Sequence, residues 1–320
     1  MPPEFLRVAT AIFSAGLLSL FAQNLAAQNV ETNRTVERAD LLRSLPSLSA
    51  APPVTTTDTE GGYAATSPNN ADLGEQRILK RVEEYKPFSV SLTVPIYYTS
   101  NVALVPRGEK SDVIVAPGIG AIYAPRITKT LFGEIGVQEQ VFEYGNFHEL
   151  NFQSLDVIAG VVWYLPRFYN VTLRGHYDFN RLSDEDWDEF FRNHSFVLNA
   201  ELPYQLSRAH QIAMGVGAEL SFSASPDRPQ RNNYELYFAD SIALSRSFAI
   251  NAVARAVVHD YQNVDRTDAS EILSFSATYR LTPWWLVSAV GSYAWSRSDH
   301  SIFDYDVANV GGALALTARF

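Results

Sequence analysis

Residues 171–180 read VTLRGHYDFN, a stretch in which apolar side chains alternate with polar or charged ones. Leu173 and Tyr177 fall on one side of an extended chain, and Arg174 and His176 fall on the other, because successive strand residues point to opposite faces. This alternation predicts a β-strand with one apolar face and one polar face.

The same alternation recurs along the chain from residue 87 to the C-terminus, in roughly twelve segments of about 10–16 residues. Soluble sandwiches use strands of about 5–6 residues, whereas tilted membrane strands need about 9–11 or more. The pattern therefore predicts an all-β fold, an antiparallel up-and-down transmembrane β-barrel of about 12 strands, with ten or fourteen as the alternatives.

Composition excludes several other classes of protein. The 320 residues contain no cysteine, 25 Lys+Arg against 35 Asp+Glu, and only 19% charged residues. Zero cysteine excludes disulfide scaffolds, Cys-ligated zinc and thiol catalysis. A net charge of −10 without a basic run argues against nucleic acid as a partner. After the N-terminus, no apolar run approaches the ~20 residues of a spanning helix.

The N-terminal third divides into three predicted segments. Residues 1–27 have the features of a signal peptide, with an apolar core over Val8–Phe21 and a small-residue cleavage site. Residues 28–70 are rich in Pro, Ser, Thr and Gly, which predicts a disordered periplasmic tail. Residues 71–86 have apolar side chains at helical spacing and predict a short helix, either on the periplasmic surface or as a plug in the barrel lumen. The barrel occupies residues 87–320.

Two features outside the alternation also favour a membrane barrel. Trp285 and Trp295 lie ten residues apart on one outward face, which at ~3.3 Å per residue and a ~40° tilt is about 25 Å, the height between two aromatic girdles. Connections alternate between short turns and longer polar loops, as in outer-membrane barrels. The third long connection is the acidic loop 181–193, whose role the sequence leaves open.

The chain ends with VANVGGALALTARF over residues 307–320, where Leu314, Leu316 and Phe320 share one face. This ending resembles the C-terminal assembly signal of Gram-negative outer-membrane barrels. The resemblance implies location in the bacterial outer membrane and recognition by the barrel assembly machinery. It also implies contact with the lipid bilayer and lipopolysaccharide. An even strand count places the N-terminal tail in the periplasm, where a partner of residues 28–86 is a further expectation.

Strand parity assigns a mixed set of charged and polar residues to the lumen, because in lipid each charge would cost several kcal/mol by some estimates. The predicted lumen residues are Glu134, Gln138, Asp156, Arg174, His176, Asp178, Glu201, Glu219, Arg255, His259 and Arg280. Glu139 and Asp240 break the parity, through either an interfacial position or a β-bulge.

The predicted function is a porin-like channel for passive diffusion of small polar solutes. The architecture also resembles autotransporter translocators, which hold a helix in the pore, and monomeric channels for acidic oligosaccharides. One alternative is a structural or assembly barrel that anchors a periplasmic tail or partner. A second is an outer-membrane enzyme of the lipase or protease barrel type, with His176 and Asp178 as the nearest candidate pair. The sequence predicts a non-enzyme, with no catalytic residue, cofactor or metal site.

Overall fold

Antiparallel strands form a single barrel wall in this computed structural model, which describes residues 31–43, 85–207, 209–245 and 247–320. The strands are β1 (Phe88–Thr99), β2 (Asp112–Val115), β3 (Gly118–Tyr123), β4 (Leu131–Tyr144), β5 (Phe152–Leu165), β6 (Val171–Ser183), β7 (Glu189–Gln205), β8 (His210–Ser225), β9 (Arg231–Ala243), β10 (Phe248–Tyr261), β11 (Thr267–Arg280), β12 (Trp285–Ser298) and β13 (Tyr305–Arg319). Short 3₁₀ turns lie at His148–Leu150, Pro166–Phe168 and Ser301–Phe303.

The first and last strands close the wall. Strand β1 pairs with β13 in antiparallel register, with Val94 opposite Leu314. The backbones of Phe88 and Phe320 exchange hydrogen bonds of 3.3 and 2.8 Å. Closure leaves no unpaired sheet edge. We call this end of the barrel the termini end, and the opposite end the loop end.

Strands β2 and β3 occupy a single position in the wall. Both pair with β1 and with β4, and they are separated by Ala116 and Pro117. Proline has no N–H to donate to a ladder, so the interruption falls where the sequence requires it. The barrel therefore has twelve strand positions, which confirms the predicted fold class and strand number.

The outer face is apolar around the barrel. Ile119, Leu236 and Val310 point outward and are 55%, 59% and 61% exposed. In a membrane every backbone polar group needs an internal partner, a condition that a closed barrel meets. The fold is thus that of an outer-membrane β-barrel.

One helix, α1, spans residues 31–43. No helix in the described part of the chain, α1 included, is long and apolar enough to cross a membrane. The predicted disordered tail, residues 28–70, is therefore wrong for residues 31–43. The predicted signal peptide 1–27 lies outside the described residues, as does the predicted helix 71–86 apart from Tyr85 and Lys86, which are not helical.

The third connection at the loop end is shorter than its sequence indicates. Strand β6 continues to Ser183 and β7 begins at Glu189, so the predicted loop 181–193 contracts to residues 184–188. The register shifts between Leu182 and Ser183 in the β6–β7 pair. This irregularity lets polar residues extend the strand pair beyond the alternating pattern.

Candidate functional site: the barrel lumen

Strand parity places all eleven predicted lumen residues on the inner wall. Glu134 and Glu201 are buried there at 4% and 3% exposure. Six more of the predicted residues line a cavity between helix α1 and the wall: Gln138, Asp156, Asp178, Glu219, Arg255 and His259. Arg174, His176 and Arg280 alternate with outward neighbours on β6 and β11. Their role as pore-lining residues stays a prediction.

Helix α1 fills the loop end of the lumen with an apolar face. Val36, Ala39 and Leu42, at spacing i, i+3, i+6, belong to one buried apolar cluster with the wall. Its wall members include Tyr97, Ile114, Phe142, Tyr144, Phe152, Leu182 and Phe191. Burying a Val or Leu side chain contributes about 1.5–3 kcal/mol. Leu41 on another side of the helix joins a second cluster with β12 and β13.

The carboxylates of α1 face a basic side of the lumen. Arg266 donates from Nη2 to Glu37 Oε1 at 2.5 Å, and Tyr261 donates its hydroxyl to the same oxygen at 3.0 Å. Arg231 donates from Nη2 to Asp40 Oδ2 at 2.5 Å. Both arginines come from the loop end of the wall and are at most 6% exposed. Charges this deeply buried are strongly destabilising when left unpaired.

Contacts with neighbouring wall and loop residues fix the position of the Arg266 guanidinium opposite Glu37. Its Nε donates to Asp268 Oδ1 at 2.9 Å. Its guanidinium carbon lies 3.4 Å from the ring centroid of Phe303 and 4.3 Å from that of Tyr261. Burial raises the pKa of the Glu37 carboxyl, and the neighbouring arginines oppose that shift.

The last guanidinium group of α1, that of Arg43, faces an acidic side of the lumen. Arg43 donates from Nη1 to Asp156 Oδ1 at 2.5 Å, and it also pairs with Asp40 of its own helix. Asn180 donates to the same Asp156 oxygen at 2.8 Å. Helix α1 therefore bridges the lumen, with carboxylates toward β9 and the β10–β11 loop and a guanidinium toward β5.

A polar cavity of about 440 Å³ lies against α1 and the wall. The wall side chains around it that carry charge are Asp156, Asp178, Glu219, Glu235, Asp268, Arg231 and Arg255. Amide side chains such as Gln138 and Asn233 add neutral donors and acceptors. Among the described residues, the cavity wall thus has five carboxylates against two guanidinium groups.

Side chains of the wall itself fill the termini end of the lumen. Arg174 Nε lies 3.3 Å from Glu134 Oε2, and Tyr237 donates its hydroxyl to Glu201 Oε2 at 2.7 Å. The Tyr237 ring covers Gly215, where a Cβ atom would lie 2.1 Å from the ring. A larger side chain at position 215 would displace the Tyr237 ring and, with it, the hydrogen bond to Glu201.

An aromatic cluster continues this packing toward the chain entry. Phe132 and Tyr164 are 0% and 5% exposed and meet edge to face at 5.7 Å between ring centroids. Tyr85, just before β1, packs against Phe132 at 5.9 Å. The chain thus enters the wall at a point where inward aromatic side chains are already packed together.

The two residues that break the parity, Glu139 and Asp240, face outward, and the strand pairs around them run in continuous register without a bulge. Asp240 lies near the termini end, and its Oδ1 is 2.6 Å from Nε2 of His210. Of the two explanations left open, the register excludes a bulge at Glu139 and at Asp240.

The predicted girdle residues and the leucines of the predicted assembly signal lie on the outer face of the barrel. Trp285 and Trp295 lie on the outer face of β12. Leu314 and Leu316 lie on the outer face of β13, and Phe320 packs against Phe88 at 6.1 Å between rings. The girdle and assembly roles themselves stay predictions.

The His, Asp and Ser residues considered for hydrolase chemistry, and the potential metal ligands, are not arranged for either role in the described part of the chain. His176 Nδ1 and Asp178 Oδ1 are buried without a hydrogen-bond partner, so these atoms do not orient one another. His194 bonds Tyr177 on the outer face at 2.7 Å, whereas Ser195 bonds Glu219 inside the lumen at 3.0 Å. No group of three or more His, Asp or Glu residues in the described part of the chain is arranged to hold a metal.

Sequence reasoning missed these lumen residues: Glu37, Asp40, Arg43, Arg231, Glu235, Tyr237, Tyr261, Arg266 and Asp268. Alternation carries no information about the helix, and it places Arg231 and Arg266 in loops. The signal that was available is the i, i+3, i+6 spacing of Val36, Ala39 and Leu42, which favours a helix.

Comparisons with known proteins agree with the fold. No family model matches the sequence, and no curated protein matches it. An outer membrane channel from Pseudomonas putida F1 is 7% identical, with a TM-score of 0.54 over 74% of this chain and 97% of that one. The NanC porin is 7% identical over 70% and 98% of the two chains, with a TM-score of 0.40. The translocator domain of autotransporter NalP from Neisseria meningitidis is 12% identical over 75% and 90%, with a TM-score of 0.41. At these identities the likeness shows the barrel fold alone.

Proposed function

We propose that this protein is an outer-membrane channel for small polar solutes, that its lumen prefers cations, and that α1 closes its loop end. The observation that carries the proposal is the polar cavity of about 440 Å³ beside a helix that buried ion pairs hold against the wall. A barrel interior that served only as a packed core would not need such a space.

The preference for cations follows from the charges that remain when α1 leaves. Asp156 loses Arg43, Arg231 loses Asp40, and Arg266 loses Glu37. The five carboxylates around the cavity still outnumber the guanidinium groups of Arg231, Arg255 and Arg266. Rings and patches of carboxylates select cations electrostatically in other pores. In this proposal the barrel termini and the short turns face the periplasm and the longer loops face outward, the arrangement usual in outer-membrane barrels.

The anchor alternative receives less support from the same geometry. Val36, Ala39 and Leu42 are buried against the barrel's own wall, so this face of residues 31–43 is not presented to a separate partner. The enzyme alternative stays untested.

The test is single-channel conductance in planar bilayers. It compares the chain from residue 28 onward with a variant in which residues 31–43 are replaced by a glycine–serine linker of equal length. We expect rare, brief openings from the first and steady ohmic steps from the second, with a reversal potential in a KCl gradient that indicates cation preference. Silence from both, in folded heat-modifiable barrels, would contradict the channel.

A second pair of variants in the linker background separates selectivity from conduction. Asp156→Asn with Asp178→Asn removes two lumen charges and is expected to lower the cation-to-anion ratio. Asp184→Asn with Asp186→Asn removes two charges from an exposed loop and serves as the matched control. An equal change in both pairs would place selectivity outside the lumen.

A further inference from the structure

Exposed apolar side chains at the termini end stand next to basic residues. In the turn before β4, Ile127 is 57% exposed and is flanked by Arg126 and Lys129. In the turn before β6, Arg167 is followed by two exposed aromatic residues, which are 64% and 84% exposed. An exposed apolar residue in a turn facing water gains nothing from its exposure, so the repetition points to a non-aqueous neighbour.

The pairing continues around the barrel. Leu206 and Leu244 are 51% and 60% exposed, and the sequence has an arginine two residues after each. Lys86 precedes the exposed ring of Phe88, and Trp284 is 65% exposed in the turn before β12. We call this set the basic–apolar rim: Lys86, Phe88, Arg126, Ile127, Lys129, Arg167, Phe168, Tyr169, Leu206, Leu244 and Trp284.

Charge is distributed unequally between the two ends of the barrel. Segments 85–87, 124–130, 166–170, 206–209, 244–247 and 281–284 contain no Asp or Glu. The loop-end connections contain ten: Glu109, Glu149, Asp184, Glu185, Asp186, Asp188, Asp227, Asp265, Asp299 and Asp304. The turns at the termini end therefore carry basic residues and no acidic ones, whereas the connections at the loop end are acidic.

We propose that the basic–apolar rim binds anionic phospholipid headgroups of the leaflet that surrounds the termini end. Aromatic and aliphatic side chains such as Tyr169 and Ile127 enter the acyl boundary. The long side chains of Lys129 and Arg167 extend to the phosphates, as basic residues do at membrane interfaces. A phospholipid offers a phosphate to the basic residues and acyl chains to the apolar ones. An acidic soluble protein would account for the basic residues but would leave the apolar side chains in water. The proposal is independent of conduction through the lumen.

The test uses the full chain reconstituted in phosphatidylcholine vesicles that contain phosphatidylglycerol. Brominated phosphatidylglycerol and brominated phosphatidylcholine are compared as quenchers of tryptophan fluorescence, which Trp163, Trp284 and Trp285 report near the termini end. The rim variant is Lys86→Gln, Lys129→Gln and Arg167→Gln. The matched control removes three charges at the loop end, through Arg107→Gln, Lys110→Gln and Arg228→Gln.

Each basic residue close to an anionic surface is worth on the order of a fivefold factor in lipid association, so we expect the unmodified chain to prefer phosphatidylglycerol by about threefold or more. The rim variant, which keeps Arg126, is expected to lose most of the preference, and the control is expected to keep it. No preference in the unmodified chain would overturn the proposal, as would equal losses in both variants. A rim variant that keeps the full preference would assign the rim to another partner, such as an acidic protein.

Discussion

The two halves of the lumen are filled in different ways. At the loop end, the space is occupied by α1, a segment far from the wall strands in sequence, which contributes Val36, Glu37 and Arg43. At the termini end, the space is occupied by side chains of the wall itself, such as Glu134 and Tyr237. The polar cavity adjoins α1 and is bordered by the wall strands.

Because of this difference, the loop half of the lumen can open without unfolding the barrel. The ladders between the described strands do not include α1, so its departure leaves every one of them intact. The termini-end network sits on residues whose backbones form those ladders, and it can rearrange only through side-chain rotation. We therefore expect substitutions at the loop end to change gating and those at the termini end to change stability.

The largest expected effect comes from reversing one charge on α1. Glu37→Lys places a cation against Arg266 and Arg231, and breaking a buried ion pair costs about 3–5 kcal/mol. The open probability in planar bilayers should rise at least tenfold. Glu109→Lys is the matched control, because Glu109 is an exposed carboxylate in the connection between β1 and β2 at the same end of the barrel. Equal effects of the two substitutions would contradict a specific contact with the wall.

A smaller effect is expected at the termini end. Tyr237→Phe removes the hydrogen bond to Glu201 and leaves a buried carboxylate without that donor, at a cost of about 1–3 kcal/mol. The urea midpoint of the barrel in vesicles should fall, with no change in open probability. Tyr234→Phe alters an outward hydroxyl on the same strand and should leave both quantities unchanged. A gating change from Tyr237→Phe alone would mean that the two halves open together.

The sequence allowed the wall to be predicted because each strand carries its own signal. Residues 171–180 alternate without reference to any other part of the chain, and every strand position coincides with a predicted segment. Helix α1 is different, since six of its thirteen residues are charged. Three of those charges, Glu37, Asp40 and Arg43, are compensated by wall residues more than 100 positions away. Read alone, the segment appears too polar to be buried.

Within the lumen, only the residues carried by strands could be predicted. Parity indicated which strand residues face inward, as for Asp156 and Glu219, because the polar face of a membrane strand must turn away from lipid. It could not identify Arg231 and Arg266, which lie where the alternation ends. Their function depends on a helix whose position is a long-range property of the fold.

The most direct test of α1 as a removable closure is to return it as a separate molecule. A synthetic peptide of residues 31–43 is added to single channels of the linker variant, first on the loop side and then on the termini side. We expect the peptide to block the current in discrete events from the loop side, and a Glu37→Lys peptide to block far less. Equal block by the two peptides, or a current that neither peptide changes, would contradict closure of the lumen by α1.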